Sequence, residues 1–207
     1  MAEKTRPPQQ NRSRDTYQRL LRAGYQLLAE RDIDAITVQD ITREASCSVG
    51  SFYFRFKDKY SFFVALIENM IAQREEAIEA TFNSYRGAEL AAALARGALA
   101  NYRRHAGLLR SVVKKHLEGK KSWRPISRLG TTAADRFVRS FEEAGTPLSP
   151  DQAKRVHFAF VWLYGHLTMG LLDLHPGPGM TEEIYEEETV RGFERAIREA
   201  LSSPDQA

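Results

Sequence analysis

Between positions 48 and 59 the sequence runs Ser48-Val49-Gly50-Ser51-Phe52-Tyr53-Phe54-Arg55-Phe56-Lys57-Asp58-Lys59. Four small residues come first, and small residues at the start of a short helix let its backbone come close to another surface, such as the floor of a nucleic-acid groove. Tyr53 then carries a phenolic hydroxyl at an aromatic position that a pure core would fill with Phe or Leu. Arg55 and Lys57 add positive charge beside it. Hydroxyl and cationic donors around a small-residue helix start suit phosphate oxygens and base edges. Phe52, Phe54 and Phe56 read as core, with Phe52 and Phe56 four residues apart on one helical face.

Other chemistries lack their patterns. No His-Glu-x-x-His, Gly-x-Ser-x-Gly, phosphate-loop or dinucleotide glycine motif occurs, and His157 and His166 face opposite sides of any helix that carries both. The many carboxylates fall mostly at helix-surface positions. Neither a catalytic site nor a metal or cofactor is expected. The lone Cys47 excludes an internal disulfide framework and multi-cysteine zinc patterns, and it reads as a small buried hydrophobe rather than a redox sensor. The first residues lack the apolar core of a signal peptide, and Phe158 to Leu172 falls short of the ~20 residues that span a bilayer. A cytoplasmic protein with no membrane partner is expected.

The elements that position these residues are helices. Tyr17, Leu20, Leu21, Gly24, Leu27 and Leu28 recur at helical steps and predict a first helix from about Asp15 to Arg31. Thr37 can cap a second, with Asp40 at N3 and Ile36 able to staple onto Ile41. Ser48 caps a third that ends near Phe54, and Asp58 caps a fourth that runs to about Tyr85. Five more are predicted: Ala88 to Arg104, Leu108 to Glu118, about Pro125 to Ala144, Pro150 to about Leu174, and Thr181 to about Leu201. Gly87, Gly107 and the run His175-Pro176-Gly177-Pro178-Gly179 serve as breaks. The fold class is all-α. Its units are a helix-turn-helix domain over 1–57, with a flexible basic arm at 1–13, and a helical domain over 58–207. The whole net charge of +3 falls within residues 1–60, where phosphate would be met.

The segment from Ile36 to Ile41, Ala45 and the run from Ser48 to Lys59 resemble the signature of the tetracycline-repressor (TetR) family. The resemblance covers about the first quarter of the chain. It implies a helix-turn-helix regulator that binds double-stranded DNA at a palindromic operator, with Ser48, Val49, Gly50 and Ser51 on bases. It also implies Thr37, Tyr53 and Lys59 on phosphates, with Arg55 alongside. Two positions depart from the family: Ser46 and Asp32 stand where glycine is usual, and Asp tolerates the left-handed conformation better than Ser. Val49 replaces a residue that is often polar or basic, which favours apolar contact with a thymine methyl.

A single helix-turn-helix reads few base pairs, so a homodimer across a palindrome is expected. Val156, Phe160, Leu163, Leu167 and Leu171 form one stripe of the eighth helix, and Phe158, Trp162 and Met169 form another, so that helix must be covered on two sides. By resemblance, the last two helices pair with a second subunit. The remaining apolar surface lines a site for a small apolar or aromatic effector, with candidates Phe82, Tyr102, His116, Trp123, Phe137, Phe141, Phe158, Trp162 and His166. The resemblance implies a repressor released by that effector. A ligand-independent DNA binder and a protein-interaction module are the alternatives.

Overall fold

The computed structural model describes residues 9–119, 124–172 and 181–202, and among these it is all helical. The helices are α1 (Gln9–Glu30), α2 (Val38–Glu44), α3 (Val49–Tyr53), α4 (Lys59–Ser84), α5 (Gly87–Arg104), α6 (Ala106–Leu117), α7 (Arg124–Glu143), α8 (Pro150–Leu171) and α9 (Glu182–Leu201). Side chains written into the sequence fix most of the starts. Reciprocal capping boxes join Thr37 with Asp40, Asp58 with Ser61 and Ser149 with Gln152, while Thr181 caps α9 alone. Pro150 sits in the first turn of α8, where it forfeits no helical hydrogen bond.

Three local features differ from the sequence reading. Helix α1 begins at Gln9 rather than Asp15, so the expected flexible arm is helical from that point; Arg55 Nη2 donates to both the carbonyl and the hydroxyl of Ser13 (3.1 Å each) and anchors this turn. A 3-10 turn, Ile33–Ala35, follows α1, capped by the Asp32 carboxylate, which accepts the Asp34 N–H at 2.9 Å. Gly107 lies inside the first turn of α6, and the break falls at His105 instead. The His175 to Gly179 breaker and Trp123 lie outside the described residues.

Helix α1 is the axle of the N-terminal unit and packs on α2, α4 and α6. Its Leu20, Leu21 and Leu28 are buried with Ile36, Ile41, Phe52, Phe56, Phe62 and Leu66. Within that core Phe56 lies 5.3 Å from Phe52 and 5.0 Å from Phe62, ring centre to ring centre. Helix α4 carries this core onward, ~39 Å at 1.5 Å per residue, into a second layer where α9 packs on α5 and α8, and α7 packs on α4 and α8.

Candidate nucleic-acid interface and the cavities behind it

Helix α3 is short, yet its orientation is fixed from inside. Phe52 is fully buried among aromatic rings, while the Ser51 N–H donates to the capping Ser48 hydroxyl at 3.1 Å, and the two hydroxyls lie 2.9 Å apart. This leaves Ser48, Val49, Gly50, Tyr53 and Phe54 on the outer surface. A Cβ on Gly50 would meet only the Ser48 hydroxyl, at 3.8 Å, so nothing within the chain requires glycine there. The open space lies outward. Ser46, in the turn between α2 and α3, adopts φ +48°, the left-handed geometry that the usual glycine would supply, and its carbonyl accepts from Arg19 Nη1 at 3.1 Å. Asp32 needs no such geometry, because its φ is −69°. Cys47 is half-buried, and burial pushes its thiol pKa up, away from the thiolate a redox sensor uses.

Phe54, expected in the core, is 81% exposed, with the Arg55 guanidinium 5.5 Å from its ring centre. The signal was present in the spacing. Residues 52 and 56 share a helical face, and residue 54 must point away from both. Tyr53 beside it is 55% exposed, so the surface of α3 presents two aromatic rings.

The expected cations behave differently. Lys59 donates its ammonium to the carbonyls of Ile33 (2.8 Å), Asp34 (3.3 Å) and Ile36 (2.8 Å), closing the 3-10 turn against the start of α4. Asp58 already supplies an anion at that helix N-terminus, and its hydrogen bonds from Ser61 hold its pKa below the usual carboxylate range. Lys59 is thus a staple of the unit in the free chain, and its ammonium is not turned outward toward a phosphate. Arg55 is tied to Ser51 and Ser13. The Thr37 hydroxyl donates to the Asp40 carboxylate at 2.8 Å and remains at the surface. Among the residues expected to meet DNA, Ser48, Val49, Gly50, Ser51 and Tyr53 lie together on α3, while Thr37, Arg55 and Lys59 bond to groups within the unit.

Helix α6 joins this unit to the rest, a role the sequence reading missed. At its start, a Cβ on Gly107 would fall 1.7 Å from the Leu28 carbonyl oxygen, so the α6 backbone lies directly on the end of α1. Further along, Lys114 reaches Asp32 (3.2 Å) and Asp34 (3.1 Å), and Lys115 reaches Asp34 at 2.7 Å. Asp34 is therefore held between α6 through its carboxylate and Lys59 through its carbonyl. His105, at the joint of α5 and α6, is buried against the Tyr25 ring at 4.9 Å, and Tyr25 donates to the Leu66 carbonyl of α4 at 2.9 Å.

Two cavities matter beyond α6. One of about 670 Å³ lies at the far end of the bundle, between the end of α4, the start of α5 and the ends of α7 and α9; Phe82, Phe137 and Phe141 line it. Another of about 370 Å³ lies between α5, α7 and α8, lined by Tyr102, Phe160, Tyr164 and His157. The other described candidates, Phe158, Trp162, His116 and His166, line neither. Phe158 is 72% exposed, and Trp162 is partly exposed with its ring edge against Gly192 of α9. His116 lies on the exposed side of α6. His166 is a packing residue of the α8–α9 joint, stacked between Trp162 and Tyr185 and bonded to the Thr189 hydroxyl at 3.0 Å. Arg74 of α4 is buried in the bundle, with a single long bond to the Leu94 carbonyl (3.4 Å), an unpartnered Nε and no carboxylate beside it among the described residues.

A three-helix unit with an outward-facing third helix, set on a larger helical bundle, defines the class of fold: a helix-turn-helix unit joined to an all-helical domain. Comparisons agree. Residues 20–66 match the family described as bacterial regulatory proteins, tetR family. The chain is 40% identical over 53 residues to the uncharacterized HTH-type transcriptional regulator YwcC of Bacillus subtilis, covering 26% of this chain and 24% of that protein. It is 27% identical over 63 residues to YvdT of the same organism, also an uncharacterized HTH-type transcriptional regulator, covering 30% and 32%. The matched region thus spans a third or less of these curated relatives. The structure of regulatory protein TetR from Rhodobacter sphaeroides shares the fold with a TM-score of 0.64 and 23% identity, over 87% of this chain and 98% of that one. The N-terminal unit thus matches the tetR family over residues 20–66, and the chain as a whole shares the fold of the solved structure.

Proposed function

We propose that the protein is a homodimeric DNA-binding regulator in which α3 of each subunit enters a major groove of a palindromic operator, and that an effector in the helical domain releases it as a repressor. Residues 1–57 form the DNA-reading unit and residues 58–207 the effector-binding and dimerisation unit of a cytoplasmic protein. The observation that carries the reading is the outer surface of α3, where Ser48, Val49, Gly50 and Ser51 leave room for close approach and Tyr53 and Phe54 stand exposed. Tyr53 touches Phe52 with a ring edge and Phe54 carries the Arg55 guanidinium, and both rings otherwise face outward. They suit thymine methyl groups, sugars and a phosphate oxygen bonded by the tyrosine hydroxyl.

Dimerisation is supported by an uncovered stripe on α8. Phe158, Val161, Trp162, Met169 and Leu172 are all exposed and, with Gly165, follow one another at helical steps. A continuous apolar stripe of this kind marks an interaction surface. Its closed two-fold pairing gives the symmetry that a palindrome requires. Effector response is supported by α6, which packs on α1 and binds the 3-10 turn, so a shift of the bundle reaches the reading unit through Gly107, Lys114 and Lys115.

Sedimentation of the wild type and of Val161→Arg tests this reading. The wild type sediments as a dimer at micromolar concentration, and the variant as a folded monomer with weakened operator binding. A monomeric wild type that still binds DNA specifically would refute the two-fold arrangement.

A further inference from the structure

We infer that the cavity of about 670 Å³ at the far end of the bundle is an effector site for an amphipathic carboxylate, an apolar chain or ring system ending in one negative group. The inference rests on the effector-response reading above and adds the site and the ligand's chemistry. The volume lies within the range of small-ligand sites, ~300–1,000 Å³. The floor is apolar: Phe82, Leu90, Phe137, Phe141, Ile197 and Leu201.

The mouth is cationic. Arg136 is neutralised by Glu79 and Glu143 and lies 4.7 Å over the Phe82 ring, so it closes a wall rather than offering charge. Arg86 spends one nitrogen on the carbonyls of Phe82 and Tyr85, leaving the rest of its fork without a carboxylate, and Arg198 forms no ion pair among the described residues. Glu194 is the one lining carboxylate left to oppose these two arginines. Arg86 is also the N-cap of the 18-residue α5 and supplies no side-chain cap, so the first N–H groups of that helix open beside Gly87 at the same mouth. A helix N-terminus and two arginines favour a carboxylate, while the phenylalanine floor takes the apolar remainder. A neutral ligand of the same shape leaves the arginines without a partner. A ligand held here bridges the end of α4 to α5, α7 and α9, and α4 starts at the reading unit.

The test uses the full chain, sodium decanoate and its neutral counterpart decan-1-ol, with calorimetric titration. Wild type binds decanoate about tenfold or more tightly than decanol, the worth of one charge-assisted hydrogen bond. Arg86→Gln combined with Arg198→Gln brings the two ligands to equal affinity, and Ala144→Trp, at the cavity lining, abolishes binding of both without altering the circular dichroism spectrum. Equal affinities in wild type, a preference that survives the double substitution, or binding unaffected by Ala144→Trp would each overturn the inference. Operator binding without ligand is measured in parallel: its loss would defeat the regulator reading and leave the carboxylate site standing, and the reverse also holds.

Discussion

The α-carbon of Gly107 lies so close to the carbonyl of Leu28 that an added Cβ would stand 1.7 Å from the oxygen and 2.5 Å from its carbon. Both atoms are backbone, so no side chain can turn aside. Gly107→Ala must push α6 off α1, and overpacking of this kind costs ~1–3 kcal/mol. A melting temperature several degrees lower is expected, together with weaker operator binding. An unchanged melting temperature would show that the two helices do not meet as described.

Tyr53 and Lys59, both expected on phosphates from the sequence, separate by consequence. Tyr53→Ala removes an exposed ring and should weaken operator binding while leaving stability within about 0.5 kcal/mol, as for other surface substitutions. Lys59→Ala removes the ammonium that bonds three carbonyls, of which only that of Ile33 keeps a backbone donor, and should cost about 1–3 kcal/mol of stability as well. Urea unfolding of the two variants distinguishes these outcomes; equal stability would return Lys59 to a purely external role.

Ser46 holds a left-handed backbone that costs a non-glycine residue ~1–2 kcal/mol. Ser46→Gly should therefore stabilise the protein by up to about 1 kcal/mol, after the greater entropy of glycine in the unfolded chain is offset. Chemical denaturation with an unchanged slope and a higher midpoint is the expected result.

His105 gives the stability a pH dependence of known sign. Burial holds its pKa at about 4, against 6.5 when free, so the unfolded chain binds the proton first. Its contribution is full above pH 6.5 and is lost as the pH falls toward 4. His157 acts in the opposite sense: both ring nitrogens face acceptors, the Ala153 carbonyl and Asp135, so its pKa is raised and its contribution is lost as the pH rises past that value. His105→Phe should flatten the slope between pH 6.5 and 4. A slope unchanged in that variant would assign the acid sensitivity elsewhere.

Helix existence was legible because its signals are local. Caps at Thr37, Ser48 and Asp58 and the apolar spacing of α1 require no knowledge of the partner helix. What escaped reading was set by distant backbone. A lysine such as Lys59 offers three donors that suit a phosphate or three carbonyls equally, and only the fold brings Ile33, Asp34 and Ile36 within reach. Gly107 looked like a breaker because its neighbour Leu28 is nearly eighty residues away in sequence. The aromatic residues of α8 could not be sorted into core and surface, since helical spacing gives a face but not its cover: Phe160 is buried, and Phe158 stands outside.

Selection of bound sequences from a random DNA duplex pool tests the central claim most directly. The account predicts an enriched inverted repeat whose half-sites lie one helical turn, about 34–36 Å, or a multiple of it apart, lost with Tyr53→Ala and with Val161→Arg. Enrichment of no sequence, or of a single half-site without its inverted copy, would contradict it.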